Sequence, residues 1–299
     1  MATRRQFSLG LGTTLAAGPM ARYARAAGLR AESDPDALRH RLAGIEARCG
    51  GRLGVGILDT ETGVTVEHRG DERFPMCSTH KALSAAAILA KVDKGEEHLD
   101  RRIRFPANAV LTYSPATKAH AGAEGMTLAE ICAGAVALSD NTAANLMLEV
   151  LAGPAGLTAW LRSIGDDVTR LDRTEPTLNE ALPGDPRDTT SPLAMAATLN
   201  RLVLGETLSP ASRAQFTAWL VAGQTGGARL RAGVPTGWQV GQKTGTNDHG
   251  TANDVGVLWP PGRRPMVVTA FITGSTASLD AQNAAIADVA HLAAELSRA

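Results

Sequence analysis

Residues 239–273 read QVGQKTGTNDHGTANDVGVLWPPGRRPMVVTAFIT. Three stretches of this run, 239–244, 251–259 and 266–273, are rich in Val, Thr and Ile and are separated by Gly-, Asn-, Asp- and Pro-bearing segments. That is the composition of strands joined by turns. A helical pattern over 280–297 follows. Upstream, residues 78–222 carry Ala- and Leu-rich runs of helical period, as at 82–92, 127–137, 141–151 and 192–204. Before that block, strands over 52–59 and 64–68 flank the hairpin turn Thr60-Glu61-Thr62-Gly63. Residues 34–48 read as a helix with Ser33 available as N-cap and Gly50 as terminator. Strands at both ends of the chain and helices between them imply a two-lobed α/β (α+β) fold. An antiparallel sheet is built from both chain ends with flanking helices, and an all-helical lobe is inserted. The expected bounds are 28–70 and 222–299 for the α/β lobe and 71–221 for the helical lobe, together one domain over 28–299.

The chain has 299 residues, 44% hydrophobic and 20% charged, a soluble globular composition. Lys plus Arg and Asp plus Glu balance at 30 each, so no global field points to nucleic acid or to an anionic membrane. A charged ligand must then be recognised by local charges. Residues 1–27 read as an address: Arg4-Arg5, a diluted apolar run from Leu9 to Met20, then Ala24-Arg25-Ala26. These are the parts of a cleavable signal peptide, and the paired arginines point to the twin-arginine route. The apolar run is too short to span a membrane, so the mature chain is expected to be periplasmic or secreted, without a membrane partner. Three cysteines, Cys49, Cys77 and Cys132, show no C-x-x-C, and the seven histidines show no H-x-H or H-E-x-x-H. No metal and no cofactor is therefore expected. No repeat or linker interrupts the chain. Residues 171–190 lack periodicity, and so long a loop in a compact domain is usually functional.

Chemistry enters at three short patterns. Ser78-Thr79-His80-Lys81 opens a helix, which puts the hydroxyl and the ammonium on one face. A lysine in a partly dry site loses basicity and can take a proton from a serine. By itself the pattern is weak, since about one S-x-x-K is expected by chance in a chain of this length. Ser139-Asp140-Asn141, taken alone, is as readily the N-cap of a helix. Lys243-Thr244-Gly245, taken alone, is as readily an edge-strand lysine before a turn.

Together and in this order, the three patterns resemble the penicillin-recognising serine enzymes. Within them, the loop sequence Arg173-Thr174-Glu175-Pro176-Thr177-Leu178-Asn179 resembles the class A serine β-lactamases. Phe74-Pro75-Met76 and Tyr113-Ser114-Pro115 extend the resemblance over nearly the whole mature chain. The resemblance implies a β-lactamase that opens penicillins and cephalosporins through an acyl-serine and confers antibiotic resistance. It implies Ser78 as nucleophile, and Lys81 or a Glu175-held water as its base. Ser139 would be the proton donor to the departing nitrogen. Glu175 and Asn179 would hold the hydrolytic water, with Arg173 and Asp188 paired at the loop neck and a cis peptide before Pro176. Asn141 and Tyr113 would contact the substrate, and Lys243, Thr244, Gly245 and Thr246 would bind its carboxylate and oxyanion. A small β-lactam is the implied partner, and a monomer the implied state.

Two departures matter. Many members carry an arginine on the strand after the lysine pattern, where this chain has Ala252. Arg229 resembles the arrangement in which an earlier segment supplies it; alternatively, it is a solvated arginine at a helix end. Cys77 has no cysteine after the lysine pattern to pair with, since that place is Asn247. Cys132 faces Ala85 where relatives pair it, so no disulfide is expected. A D,D-peptidase of the cell wall and a β-lactam sensor that stays acylated share the three patterns, but neither requires Glu175 and Asn179.

Overall fold

The computed structural model describes residues 35–298, so the expected leader and Ser33 lie outside the described residues. The chain enters with α1 (Pro35–Cys49), which stops at Gly50 in the left-handed region, φ 70°. β1 (Arg52–Asp59) and β2 (Thr65–His68) form the first hairpin, and the two-residue strand β3 (Phe74–Pro75) leads into α2 (His80–Asp93). β4 (Arg102–Ile103) and β5 (Met126–Thr127) pair with each other before α3 (Leu128–Ala137). α4 (Asn141–Val150) and α5 (Gly153–Ser163) follow. A long loop then reaches β6 (Thr189–Thr190), which pairs with β3. α6 (Pro192–Val203), α7 (Pro210–Val221) and the single turn α8 (Leu230–Gly233) complete the middle. β7 (Gln239–Asn247), β8 (Thr251–Trp259), β9 (Met266–Thr273) and α9 (Leu279–Leu296) end the described chain.

The main sheet runs β2-β1-β9-β8-β7, with every neighbour antiparallel. The first hairpin thus docks on β9, which closes the sheet from both chain ends as expected. Residues 266–273 show why the fold holds. Met266, Val268, Ala270 and Ile272 pack with α1 and α9, while Val267 and Phe271 face the helical block. A strand alternates its side chains between faces, so a continuous apolar run is buried on both. β7 is an edge strand, yet Lys243 is 1% exposed, because the helical block rather than solvent covers it.

Helix starts follow local chemistry. Thr127 and Glu130 form a capping box at α3, and Ser191 and Ser209 cap α6 and α7 ahead of a proline. Asp140 caps α4 by accepting from the Ala143 N–H at 2.8 Å. Its other oxygen accepts from the Ala116 and Thr117 N–H groups, which ties the 113–117 segment to the start of α4. No described helix is long and apolar enough to cross a membrane.

Candidate active site

The cleft forms where the helical block meets β7, and its geometry starts at the turn before α2. Cys77 takes the left-handed backbone, φ 46°, and residues Cys77–Thr79 form a 3₁₀ turn before the α-helix begins at His80. Ser78 therefore sits in this leading turn and not at the first α-helical residue. The turn closes with Thr79 Oγ1 donating to Met76 O at 2.9 Å. Asn253 Nδ2 on β8 clamps it by donating to Pro75 O (2.8 Å) and Met76 O (3.1 Å). Gly245 lets β7 pass directly against the turn. A Cβ there would lie 2.5 Å from Met76 O, too close for any other residue.

Lys81 is fully buried one turn after Ser78. Its Nζ lies 2.8 Å from Ser78 Oγ, 2.6 Å from Asn141 Oδ1, 2.8 Å from Ser139 O and 2.9 Å from Glu175 Oε1. That is one acceptor more than an ammonium has protons. Burial pushes Lys81 below the usual lysine range, with the Glu175 charge opposing. For Glu175, burial works upward, but the neighbouring His80 ring and the Lys81 ammonium outweigh it and hold the carboxyl at about 2. The site at neutral pH thus holds an ionised carboxylate beside a lysine of reduced basicity. Ser78 Oγ is itself 3.4 Å from Glu175 Oε1.

Glu175 is placed by two asparagines. Asn145, on α4 one turn after Asn141, pins its backbone from both sides: Oδ1 accepts from the Glu175 N–H and Nδ2 donates to Glu175 O, each at 2.9 Å. Asn179 Nδ2 donates to Glu175 Oε2 at 2.6 Å, and Asn179 Oδ1 is buried without a partner. The Glu175–Pro176 peptide is cis. At the loop neck, Arg173 Nε donates to Asp188 Oδ2 at 2.5 Å. Asp188, 1% exposed, also accepts from the N–H groups of Asp172 (2.7 Å) and Arg173 (2.9 Å). Asp188→Ala removes all three hydrogen bonds at once and leaves Arg173 only its contacts with Glu180 and Asp185. Breaking such a buried pair costs about 3–5 kcal/mol. Urea unfolding is expected to show that loss, and an unchanged midpoint would remove the neck as a structural lock.

The opposite wall is β7. Lys243 Nζ donates to Ser139 Oγ (3.0 Å) and Thr244 O (2.8 Å), and Ser139 is held in the left-handed region, φ 63°. Strained non-glycine backbone of this kind costs about 1–3 kcal/mol and gathers at functional sites. Burial drives Lys243 well below its ordinary value, and Lys81 adds to this. Thr244 shares a 2.6 Å hydroxyl contact with Thr225, and Thr246 is exposed at the mouth. Ser78, Tyr113, Ser139, Asn141, Asn179 and Thr244–Thr246 line a cleft of about 710 Å³, with Tyr113 half-exposed at its rim.

Arg229 is no solvated helix-end residue, since it is 5% exposed. It also does not line the cleft. Its guanidinium donates to Asn283 Oδ1 (2.7 Å), Gly245 O (3.0 Å), Asn253 O (2.6 Å) and Thr246 Oγ1 (2.8 Å), so it stands directly behind Thr246. Sequence reasoning missed Asn145, His80 and Thr225. It also missed Asn247, which donates to Asn179 O at 2.9 Å and so ties the end of β7 to the loop. Only Asn145 had a signal, its i+4 spacing from Asn141. The three cysteines are free and buried, and burial pushes the Cys77 thiol up to about 12. Among the described residues no group of three or more His, Cys, Asp or Glu is placed to hold a metal.

Residues 37–296 match the Beta-lactamase enzyme family. The chain is 48% identical over 236 residues to β-lactamase CTX-M-8 of Citrobacter amalonaticus, covering 79% of this chain and 81% of that protein. It is 48% identical over 238 residues to β-lactamase OXY-2 of Klebsiella oxytoca, covering 80% and 82%. Among solved structures, the ancestral GNCA class A β-lactamase shares 63% identity with a TM-score of 0.84, over 85% of this chain and 98% of that one. With a matched family over most of its length and relatives of this identity on the same fold, the chain belongs to the class A β-lactamases, serine hydrolases that destroy β-lactam antibiotics.

Proposed function

We propose that Ser78 attacks the lactam carbonyl and that Glu175 and Lys81 act as one proton-handling unit in both halves of the reaction. The observation that carries this is Lys81 Nζ at 2.8 Å from Ser78 Oγ and 2.9 Å from Glu175 Oε1. At neutral pH the ionised Glu175 is the acceptor. It takes a proton from Lys81, and the resulting amine takes the Ser78 proton as the C–O bond forms. A water between Ser78 and Glu175 offers a second path, supported by their 3.4 Å approach. The developing oxyanion rests on the Ser78 and Thr246 N–H groups. Ser139, polarised by Lys243 at 3.0 Å, protonates the leaving nitrogen as the C–N bond breaks and regains its proton from the Lys81–Glu175 unit, which leaves Glu175 ionised again for deacylation. Glu175 and Asn179 then hold the water that hydrolyses the acyl-serine. General-base help of this kind is worth about 10²–10⁴-fold.

Asn141 and Tyr113 contact the substrate side chain, and Lys243, Thr244, Gly245 and Thr246 receive the carboxylate. Arg229 acts through Thr246, whose hydroxyl it orients while adding positive charge behind the wall. The mature chain, residues 28–299, works as one catalytic domain and a monomer after loss of the 1–27 twin-arginine leader. It works in the periplasm or outside the cell, on small β-lactams and without nucleic acid. The leader's parts and the balanced charge support this reading. The test mixes the purified protein with excess penicillin and follows ring-opening absorbance and intact mass. Sustained ring opening, with an adduct on Ser78 that rises and vanishes, is expected. A stoichiometric adduct that persists would remove the deacylating role from Glu175.

A further inference from the structure

The active-site helix buries an imidazole that the reaction scheme above does not use. His80 is fully buried directly before Lys81. Its Nε2 has no hydrogen-bond partner, although it lies 3.6 Å from Glu175 Oε1. Its Nδ1 lies 3.3 Å from Ser84 Oγ, and that hydroxyl is also 3.1 Å from His80 O.

These contacts leave two tautomers. With the proton on Nδ1, the ring donates to Ser84 Oγ and Ser84 donates to His80 O, but the Nε2 lone pair then faces an ionised carboxylate. With the proton on Nε2, Ser84 donates to Nδ1 and the N–H dipole points at the charge. A charge–dipole contact in a dry site outweighs a long neutral hydrogen bond, so the second tautomer wins. We propose that His80 is a positioning residue whose Nε2–H is a reserve donor to Glu175 Oε1. It holds the carboxyl in place while the proton moves between Glu175, Lys81 and Ser78, and favours its ionised form for deacylation. A small movement of the carboxylate brings the pair to about 3 Å, ordinary hydrogen-bond length. The inference rests on the proposed role of Glu175 as the deacylating base.

The charged groups around the ring agree. Burial keeps the imidazole neutral, Glu175 opposes that, and Lys81 and Lys243 reinforce it. A neutral ring has one N–H, and the carboxylate claims it. Glu175 in turn is faced by Lys81 and His80, so removing His80 takes away an N–H donor that, with the Lys81 ammonium, counters burial. The carboxyl is then easier to protonate.

Two measurements test this. Nitrogen NMR of the ¹⁵N-histidine-labelled protein is expected to show His80 protonated at Nε2 and bare at Nδ1 between about pH 5 and 8, where an unperturbed histidine would titrate. The Nδ1–H tautomer would overturn the proposal whatever Glu175 does in turnover. In His80→Phe, the acid limb of acyl-enzyme decay is expected to move up by about one pH unit, a tenfold loss on the limb, with KM little changed. His80→Gln, which returns an N–H donor, is expected to restore the limb. A limb unmoved in folded His80→Phe, or equally displaced in His80→Gln, overturns the donor role. Should His80→Phe not fold, the tautomer decides alone. Fast decay in Glu175→Gln would instead overturn the base assignment, without touching the tautomer.

Discussion

Glu175→Ala is expected to open one equivalent of penicillin and then stall as a long-lived adduct on Ser78. Acylation survives because Ser78 Oγ keeps its 2.8 Å contact with Lys81. Losing Glu175 also removes the charge that opposed the effect of burial on Lys81. The lysine therefore falls further below its usual range, and a larger fraction of it is the free amine that accepts the serine proton. Deacylation has no such substitute. Asn179 alone can orient a water but cannot take its proton. The release step should fall by about 10²–10⁴-fold, the value of a lost general base. The loop itself should stay in place, since Asn145 holds the backbone of residue 175 and not its side chain. Stopped-flow absorbance with an intact-mass time course reads both steps. Turnover near that of the parent enzyme would sink the assignment.

The fold was legible wherever burial on both faces imposed a long pattern. β8 and β9 have the bounds that their Val- and Thr-rich runs suggest, and α3, α4 and α6 begin where their capping residues stand. β7 runs on to Asn247, three residues past the expected end, because ladder pairing with Thr251 continues it through a polar stretch. The start of α2 was misplaced for a tertiary reason. The left-handed Cys77 and the 3₁₀ turn after it are held by β7 and β8 through Gly245 and Asn253, contacts that no local propensity reports. The structure brings Ser78, Lys81, Ser139, Asn141, Glu175 and Asn179 into one hydrogen-bonded group around Lys81 and Glu175. The position of Arg229 was not legible, since it depends on how β7 and β8 close over the guanidinium. His80 was equally hidden, because a histidine inside an apolar helical run reads as core until the loop carrying Glu175 folds against it.

Lys81→Met is expected to fail at the other step. Methionine fills the buried volume but supplies neither a proton nor a place to put one. Ser139 O, Asn141 Oδ1 and Glu175 Oε1 each lose the Lys81 ammonium as a donor. Acylation should slow by about 10²–10⁴-fold, and no acyl-serine should accumulate early, the reverse of Glu175→Ala. The pH dependence should change sign-wise as well. In the parent enzyme Glu175 titrates at about 2, because its neighbours outweigh burial, and it stays ionised throughout the working range. Without Lys81 only the His80 and Asn179 donors oppose burial, so the carboxyl is protonated at a higher pH and the remaining activity is lost earlier as pH falls. The residual rate should therefore climb as pH rises through the acid range, where the parent enzyme is flat. Acylation rates from stopped-flow absorbance between about pH 4 and 9 would show both effects, since an unperturbed Glu titrates near the lower end. Parent-like acylation would take Lys81 out of the proton path. A slow but pH-flat variant would mean instead that His80 and Asn179 suffice to keep Glu175 ionised once the lysine is gone.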